Sequence, residues 1–187
     1  MADGSRAAGV SPGLLTLPNA ITLARLCAVP LAVWLVLRHD LGAAFGLFVA
    51  AGATDAVDGW LARHGRASAI GAVLDPVADK VLLVSMYVTL ASIDVLPDWI
   101  AILVVFRDLL IVGGVLLLGV VGQPVAIRPL FISKVNTTLQ IFLVAAVLLF
   151  TAFDLPAHGL ISPLLWVVAV STLVSGAAYV RRTAWLR

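Results

Sequence analysis

The stretch from residue 54 to residue 80 reads T-D-A-V-D-G-W-L-A-R-H-G-R-A-S-A-I-G-A-V-L-D-P-V-A-D-K and lies between two strongly apolar segments. It carries four aspartates, Asp55, Asp58, Asp75 and Asp79. A charge at the centre of a bilayer costs roughly 2.5–3.5 kcal/mol on insertion scales, so acidic residues beside or within membrane-spanning helices indicate a functional site. The stretch therefore predicts both where the helices lie and where the chemistry takes place.

Outward from this stretch the chain is dominated by apolar runs. Of its 187 residues, 62% are hydrophobic and 12% are charged, whereas roughly one-quarter of the residues of a soluble protein are charged. Several runs reach the ~20 residues that a helix needs to cross ~30 Å of hydrocarbon, and the shorter ones are expected to extend into neighbouring polar motifs. The runs are Ile21–Leu37, Leu41–Ala53, Val81–Ala91, Trp99–Val121, Ile141–Phe153 and Leu160–Val180. We predict an all-α integral membrane protein with six transmembrane helices and short loops.

The domain organisation follows from the same pattern. Residues 1–13 are small and polar and are expected to form a flexible lead, and residues 14–187 to form a single membrane domain. The lead lacks a basic segment and a cleavage site of the signal-peptide type, so the first run is expected to be retained as a span. Cys27 is the single cysteine, which rules out an intrachain disulfide and a cysteine-based metal cluster. We expect it to be a small buried apolar residue.

The charges predict the orientation, because positively charged flanks of membrane helices stay in the cytoplasm. Bases flank the predicted helices on the side that the two termini share: Arg6, Arg63, Arg66, Arg128, Lys134, Arg181, Arg182 and Arg187. The opposite turns carry Asp40, Asp94, Asp98 and Asp154, with Arg38 as the one strong base. Both termini and the aspartate stretch should therefore face the cytoplasm from a plasma or inner membrane. The net charge of +2 is spread over short loops, which indicates anionic lipid rather than nucleic acid as a partner.

The spacing of the aspartates predicts a metal centre. Asp55 and Asp58 are three residues apart and Asp75 and Asp79 are four apart, so each pair shares one helix face. A chain reversal at residues 64–68 would bring the pairs together. All-oxygen ligands select hard cations, so Mg²⁺ or Mn²⁺ is expected rather than Zn²⁺. A helix cap at Asp75 or a turn at Asp58 would explain one aspartate each, but not all four.

Small residues near the carboxylates leave room for a bulky phosphate ligand. Gly59 and Gly71 lie close to the aspartates, and Ala62 is small. Arg63 offers a bidentate donor to phosphate. Its alternative role is that of a positively charged anchor at the cytoplasmic surface.

These residues form the pattern D-x2-D-G-x2-A-R-x7-G-x3-D-x3-D, which resembles the signature of the CDP-alcohol phosphatidyltransferases at every fixed position. The resemblance implies six transmembrane helices, a homodimer and a cytoplasm-facing centre of two divalent ions. It assigns Asp55, Asp58, Asp75 and Asp79 to the metals, and Asp79 also to the removal of the acceptor's proton. It further implies contacts to the CDP moiety from Asn19, Gly59, Ala62, Arg63 and Gly71.

Segments outside the signature bear on the acceptor alcohol. The first-helix pattern P-N-A-I-T with Arg25 resembles both the phosphatidylglycerophosphate synthases and the cardiolipin synthases, whereas residues 128–140 and 106–108 look closer to the latter. Arg107, Arg128 and Lys134 could form a cationic pocket for the acceptor's phosphate. The alternatives are an ion pair between Arg107 and Asp108 or another buried aspartate, and a purely topological role for the two loop bases.

The resulting functional hypothesis is transfer of a phosphatidyl group from CDP-diacylglycerol to phosphatidylglycerol, which gives cardiolipin and CMP. Glycerol 3-phosphate is the alternative acceptor. A divalent-cation transporter would also place carboxylates in helices, but its site is expected near the midplane of the membrane. A structural lipid-binding protein would need cationic residues but has no use for four carboxylates.

Overall fold

A computed structural model describes the backbone of residues 17–62, 71–120, 131–156 and 158–184, and the side chains of residues 23–54, 77–114, 131–156 and 159–181. Within these ranges the chain forms six α-helices and no strand, which confirms the predicted all-α class. The helices are α1 (Leu17–Leu37), α2 (Leu41–Ala62), α3 (Gly71–Ser92), α4 (Asp98–Val120), α5 (Phe131–Ala152) and α6 (His158–Ala184). The predicted flexible lead (1–13), the reversal at 64–68 and the bases Arg63 and Arg128 lie outside the described residues.

Four of the predicted apolar runs lie wholly within helices that extend beyond them, as expected for the shorter runs. The predicted run Ile141–Phe153 ends one residue after α5, and Val121, the last residue of the run in α4, lies outside the described residues. Helix α2 continues from its apolar run through both aspartates of its pair, and α3 begins before Asp75. Pro30 in α1 and Pro163 in α6 are accommodated within the helices.

Three tight turns join α1 to α2, α3 to α4 and α5 to α6, and each begins with the same helix cap. A non-glycine residue adopts a positive φ at each cap: His39 (58°), Asp94 (58°) and Asp154 (48°). In the first turn the amide of His39 donates to the carbonyl of Val36 (2.9 Å), and the amide of Asp40 donates to that of Leu35 (3.0 Å). The other two turns repeat this pair of bonds. They are Schellman motifs, which satisfy the last carbonyls of a helix and reverse the chain within a few residues.

The helices pack as a closed ring in the order α1, α2, α5, α6, α4 and α3, and α3 also contacts α5 across the centre. The three tight turns lie at one end of this bundle, called here the turn end. The first turns of α1, α3 and α5 lie at the other, the motif end, together with the last turns of α2, α4 and α6. Asp55 and Asp58 in the last two turns of α2 and Asp75 and Asp79 in the first three turns of α3 are therefore at the same end.

The interior of the bundle is apolar at its centre, where side chains such as Met86, Tyr87, Leu90 and Leu143 are fully buried. Many large apolar side chains face outward instead: Phe131 is 79% exposed. Soluble monomers rarely expose large contiguous apolar surfaces, so this outer surface is suited to lipid.

By length and composition, two of the described helical segments are able to cross a membrane, namely Phe131–Ala152 and Gly159–Arg181. Shorter apolar segments occupy Leu23–Leu37 and Leu41–Thr54. The six spans and the cytoplasmic termini stay predictions.

The prediction that Cys27 is buried is wrong. Its side chain is exposed on α1, one helical turn from the exposed Leu23 and two turns from Trp34. The apolar character of this run reflects the outer surface of the bundle as much as its core. An apolar residue in a membrane helix has two suitable environments, protein and lipid, and hydropathy does not separate them.

Candidate active site

A buried arginine holds the last aspartate of the motif. Arg25 of α1 donates from Nη1 to Oδ1 of Asp79 on α3 over 2.6 Å. The Arg25 side chain is 2% exposed, whereas that of Asp79 is 43% exposed. A buried guanidinium requires an anionic partner, and the pair fixes the direction of the carboxylate. Asp79 is thus an oriented carboxylate that stays accessible.

Asp79 opens onto a cavity of about 570 Å³ enclosed by α1, α2, α3 and α5. Among the described residues, the polar lining comes from Arg25, Asp79, Lys80 and Thr137. The other described residues of the wall are small or apolar, namely Phe48, Val49, Ala51, Gly52, Leu82, Leu83, Ile141 and Ala145. A cavity with charged groups beside an apolar wall suits an amphiphile with an anionic head.

A second charged cluster lies beside the first and links four helices. Asp108 of α4 accepts from Nη1 of Arg107 at Oδ1 (2.7 Å) and from Nζ of Lys80 at Oδ2 (2.7 Å). Arg107 also donates from Nη2 to Ser133 Oγ on α5 (2.6 Å) and to Ser175 Oγ on α6. Arg107 and Asp108 are 4% and 7% exposed. Their mutual pairing offsets the cost of burying each charge.

A polar interface between α5 and α6 continues from this cluster toward the centre of the bundle. Asn136 Oδ1 accepts from Ser171 Oγ (2.7 Å) and from Thr172 Oγ1 (2.9 Å). Gln140 Nε2 donates to the same threonine hydroxyl (3.4 Å), and its backbone carbonyl accepts from the Tyr87 hydroxyl (3.1 Å). These bonds fix the register of α5, which supplies Thr137 to the cavity.

The predicted metal ligands share one end of the bundle, but only Asp79 has a described side chain. The side chains of Asp55, Asp58 and Asp75, and likewise those of the expected CDP contacts Asn19, Gly59, Ala62 and Gly71, lie outside the described residues. Over the described part of the chain, no three His, Cys, Asp or Glu side chains are grouped to hold a metal. The donor type of Asp79 fits a hard cation, since carboxylate oxygens are the ligands that Mg²⁺ prefers.

The predicted acceptor-phosphate residues have different surroundings. Arg107 forms the ion pair with Asp108 that was the alternative expectation for it. Lys134 is exposed near the start of α5, and contact of either residue with an acceptor phosphate stays a prediction. Arg128 lies outside the described residues.

From the sequence alone, no role was assigned to Lys80, and Arg25 was used only as part of the first-helix pattern. Lys80 directly follows the last motif aspartate, and Arg25 interrupts the first apolar run. Both are cations in predicted membrane helices, and such charges are expected to be as costly there as the carboxylates. The presence of such costly cations was the feature of the sequence that could have identified both residues as part of the site.

Comparison with known proteins adds independent support. The family model described as CDP-alcohol phosphatidyltransferase matches residues 15–175. A rat protein named cardiolipin synthase (CMP-forming) is 32% identical over 179 residues, which cover 87% of this chain and 59% of the relative. The CDP-diacylglycerol–glycerol-3-phosphate 3-phosphatidyltransferase of Bacillus subtilis is 34% identical over 183 residues, with 89% and 94% covered. A rice chloroplastic protein of that activity is 36% identical, with 88% and 56% covered.

The chain thus spans a little more than half the length of the rat and rice relatives, and nearly the whole of the bacterial one. The family match covers all six helices apart from the last part of α6. The matched range includes the aspartate motif, which ends at the oriented Asp79. The protein belongs to the CDP-alcohol phosphatidyltransferase family.

Proposed function

We propose that this protein transfers the phosphatidyl group of CDP-diacylglycerol to phosphatidylglycerol and releases cardiolipin and CMP. The observation that carries the proposal is the oriented, half-exposed Asp79 at a cavity whose wall is otherwise largely apolar. A general base must be accessible and held in position, and both substrates are amphiphiles with phosphate heads. Relatives from rat and human named cardiolipin synthase support the choice of acceptor.

In the proposed reaction, Asp79 accepts the proton of the acceptor's hydroxyl. The hydroxyl oxygen attacks the phosphorus that carries the diacylglycerol, and the bond from this phosphorus to the CMP oxygen breaks. Arg25 holds the carboxylate at the cavity, because the guanidinium donates a short charge-assisted bond to one of its oxygens. The apolar wall holds lipid chains and excludes water, which would otherwise compete as the nucleophile.

Asp55, Asp58, Asp75 and Asp79 would hold two Mg²⁺ or Mn²⁺ ions. Such ions, when bound, neutralise charge on the phosphates and stabilise the attacking and leaving oxygens of a displacement. We further propose that the chain is a homodimer in a plasma or inner membrane, with the motif end in the cytoplasm. The cluster of bases predicted on that side supports this orientation.

Phosphatidylglycerophosphate synthesis, with glycerol 3-phosphate as the acceptor, is the second candidate. This candidate is favoured by the Bacillus subtilis relative named CDP-diacylglycerol–glycerol-3-phosphate 3-phosphatidyltransferase, which is 34% identical and is matched over 94% of its own length. Both acceptors present a primary hydroxyl separated by three carbons from a phosphate. The features of the cavity described above suit either molecule.

The test is an assay of the purified protein with Mg²⁺ and CDP-diacylglycerol, with phosphatidylglycerol and glycerol 3-phosphate offered in parallel. Cardiolipin and CMP formed only with phosphatidylglycerol would support the first proposal, and phosphatidylglycerophosphate formed only with glycerol 3-phosphate would support the second. Asp79→Asn should abolish both products. CMP release that does not depend on a divalent metal would refute both proposals. A failure to release CMP with every alcohol tested would also refute both.

A further inference from the structure

Lys80 has no part in the reaction proposed above, yet it lies beside the reacting groups. It follows Asp79 in α3, and its side chain lines the same cavity while remaining 37% exposed. Its ammonium contacts Asp108 on the neighbouring helix at 2.7 Å. A cation in this place is held at the edge of the cavity and not in open solvent.

Lys80 belongs to a network of described charged groups. In this network Arg25, Lys80 and Arg107 pair with the carboxylates of Asp79 and Asp108. An anion bound at the cavity would be attracted by a cation that lines it.

Among the cations of this group, Lys80 is the one suited to bind such an anion. Arg25 is turned to Asp79 and is 2% exposed, and Arg107 is enclosed by Asp108 and two serine hydroxyls. Lys80 combines a partly exposed ammonium with three donor hydrogens, and the described residues show one acceptor for it, Asp108.

We infer that the Lys80 ammonium binds the phosphate of the acceptor alcohol and that Asp108 is the residue that positions it. The inference rests on the proposed function, in which Asp79 takes the proton of the acceptor's hydroxyl. Asp79 and Lys80 line one cavity, and an acceptor with a hydroxyl and a phosphate separated by three carbons offers a partner to each of them. Glycerol 3-phosphate and phosphatidylglycerol share this arrangement, so the recognised chemistry is the same for both.

Asp108 serves this role because it holds the ammonium of Lys80 in one place, through a bond of 2.7 Å from the neighbouring helix α4. Its other oxygen is fixed by Arg107, which is in turn fixed by serines of α5 and α6. The position of Lys80 is therefore set by three helices in addition to its own. Without Asp108, the flexible lysine stem would sample many rotamers, and binding of the phosphate would have to order it.

Steady-state kinetics of the purified protein in mixed micelles test the inference. The acceptor concentration is varied at saturating CDP-diacylglycerol, in separate arms with glycerol 3-phosphate and with phosphatidylglycerol, and CDP-diacylglycerol is then varied at fixed acceptor. Lys80→Met should raise the KM for the accepted alcohol about 10- to 100-fold, the loss expected for one charge-assisted hydrogen bond. The KM for CDP-diacylglycerol should change by less than about threefold, and Lys80→Arg should restore part of the acceptor affinity.

Two further variants separate positioning from general damage. Asp108→Asn should raise the acceptor KM in the same direction, by about 3- to 10-fold, and leave the KM for CDP-diacylglycerol unchanged. Arg38→Met removes a cation at the turn end, where its guanidinium lies 5.0 Å from the Trp34 ring centre, and should leave both constants unchanged. If Lys80→Met fails to fold, Lys80→Gln and Asp108→Asn test the inference instead. In each of them the KM for the acceptor should rise while the KM for CDP-diacylglycerol stays unchanged.

The outcomes distinguish this inference from the proposed function. Wild-type protein without metal-dependent CMP release would overturn the proposed function and the inference with it. An active wild-type enzyme whose Lys80 variants keep the acceptor KM, or lose affinity for both substrates equally, would overturn the inference alone.

Discussion

Replacing Arg25 with methionine should lower the activity of this protein far more than its stability. Methionine fills much of the volume of the arginine stem but leaves Asp79 without the 2.6 Å bond from Nη1. A buried pair that loses one partner is strongly destabilised when the remaining charge has no access to water. Here the remaining carboxylate is 43% exposed, so water replaces much of the lost interaction, and we expect the free energy of unfolding to fall by about 1 kcal/mol.

The catalytic effect should be much larger. A positioned general base contributes typically 10²–10⁴-fold to a rate, and a displacement of about 1 Å costs about 10²-fold. Arg25→Met should therefore lower kcat for CMP release about 100-fold, with little change in the KM for CDP-diacylglycerol. Arg25→Lys keeps the charge but loses the planar donor geometry, so its kcat should lie between the two.

The assay is CMP release at saturating concentrations of both substrates, together with thermal unfolding in the same detergent. Arg38→Met, which removes an exposed arginine from the turn end, is the matched control and should behave as wild type. A folded Arg25→Met protein with kcat within about threefold of wild type would refute the argument, since positioning would then contribute almost nothing.

Three other predictions follow from the packing, the metal centre and the orientation. A Cβ at Gly114 would lie 3.0 Å from the Tyr179 ring, whereas one at Gly113 would meet nothing within 4 Å. Gly114→Ala should therefore unfold at a lower temperature than Gly113→Ala, because the Tyr179 ring has to move to admit the methyl group and this cost offsets the helix-propensity gain of about 1 kcal/mol; a Gly113→Ala variant at least as stable as wild type is the expected control. Removal of divalent ions with EDTA should abolish CMP release and Mg²⁺ should restore it; activity that persists without metal would contradict the carboxylate centre. In a Cys27→Ser background, Asp154→Cys at the turn end should react with a membrane-impermeant maleimide on intact cells, and protection of that position would reverse the predicted topology.

Much of the fold was predictable because the apolar runs are long and the turns short. The number, order and approximate limits of the helices followed from hydropathy, and the polar ends of α2 and α3 followed from the expectation that short runs continue into the motif. The spatial order of the helices was not predictable in this way. Helix α2 packs against α1 and α5, and α3 packs against α1 and α4. Lipid-facing and protein-facing residues are equally apolar, so periodicity carries little information about which helices meet.

The candidate site was predictable to the extent that its residues are close in sequence. Asp79 was identified from the motif, but its partner Arg25 lies 54 residues away on another helix. Spacing along one helix predicts which residues share a face, and says nothing about which face of another helix lies opposite. The same limit explains why Arg107 was assigned to the acceptor's phosphate and its ion pair with Asp108 was left as an alternative. Neighbouring residues point to different sides of a helix, and only the observed rotamers bring these two charges together.

Charge balance supplies information that spacing does not. The membrane penalises cations as well as carboxylates, so each base inside a span requires a partner at a similar depth. Arg25, Lys80 and Arg107 satisfy this requirement in pairs with Asp79 and Asp108, and the pairs join α1 to α3 and α3 to α4. Matching the bases within the predicted spans to the aspartates would therefore have narrowed down which helices are neighbours. The same matching directs attention to Lys80, a cation beside an amphiphilic cavity, and a phosphate-bearing substrate requires such a cation.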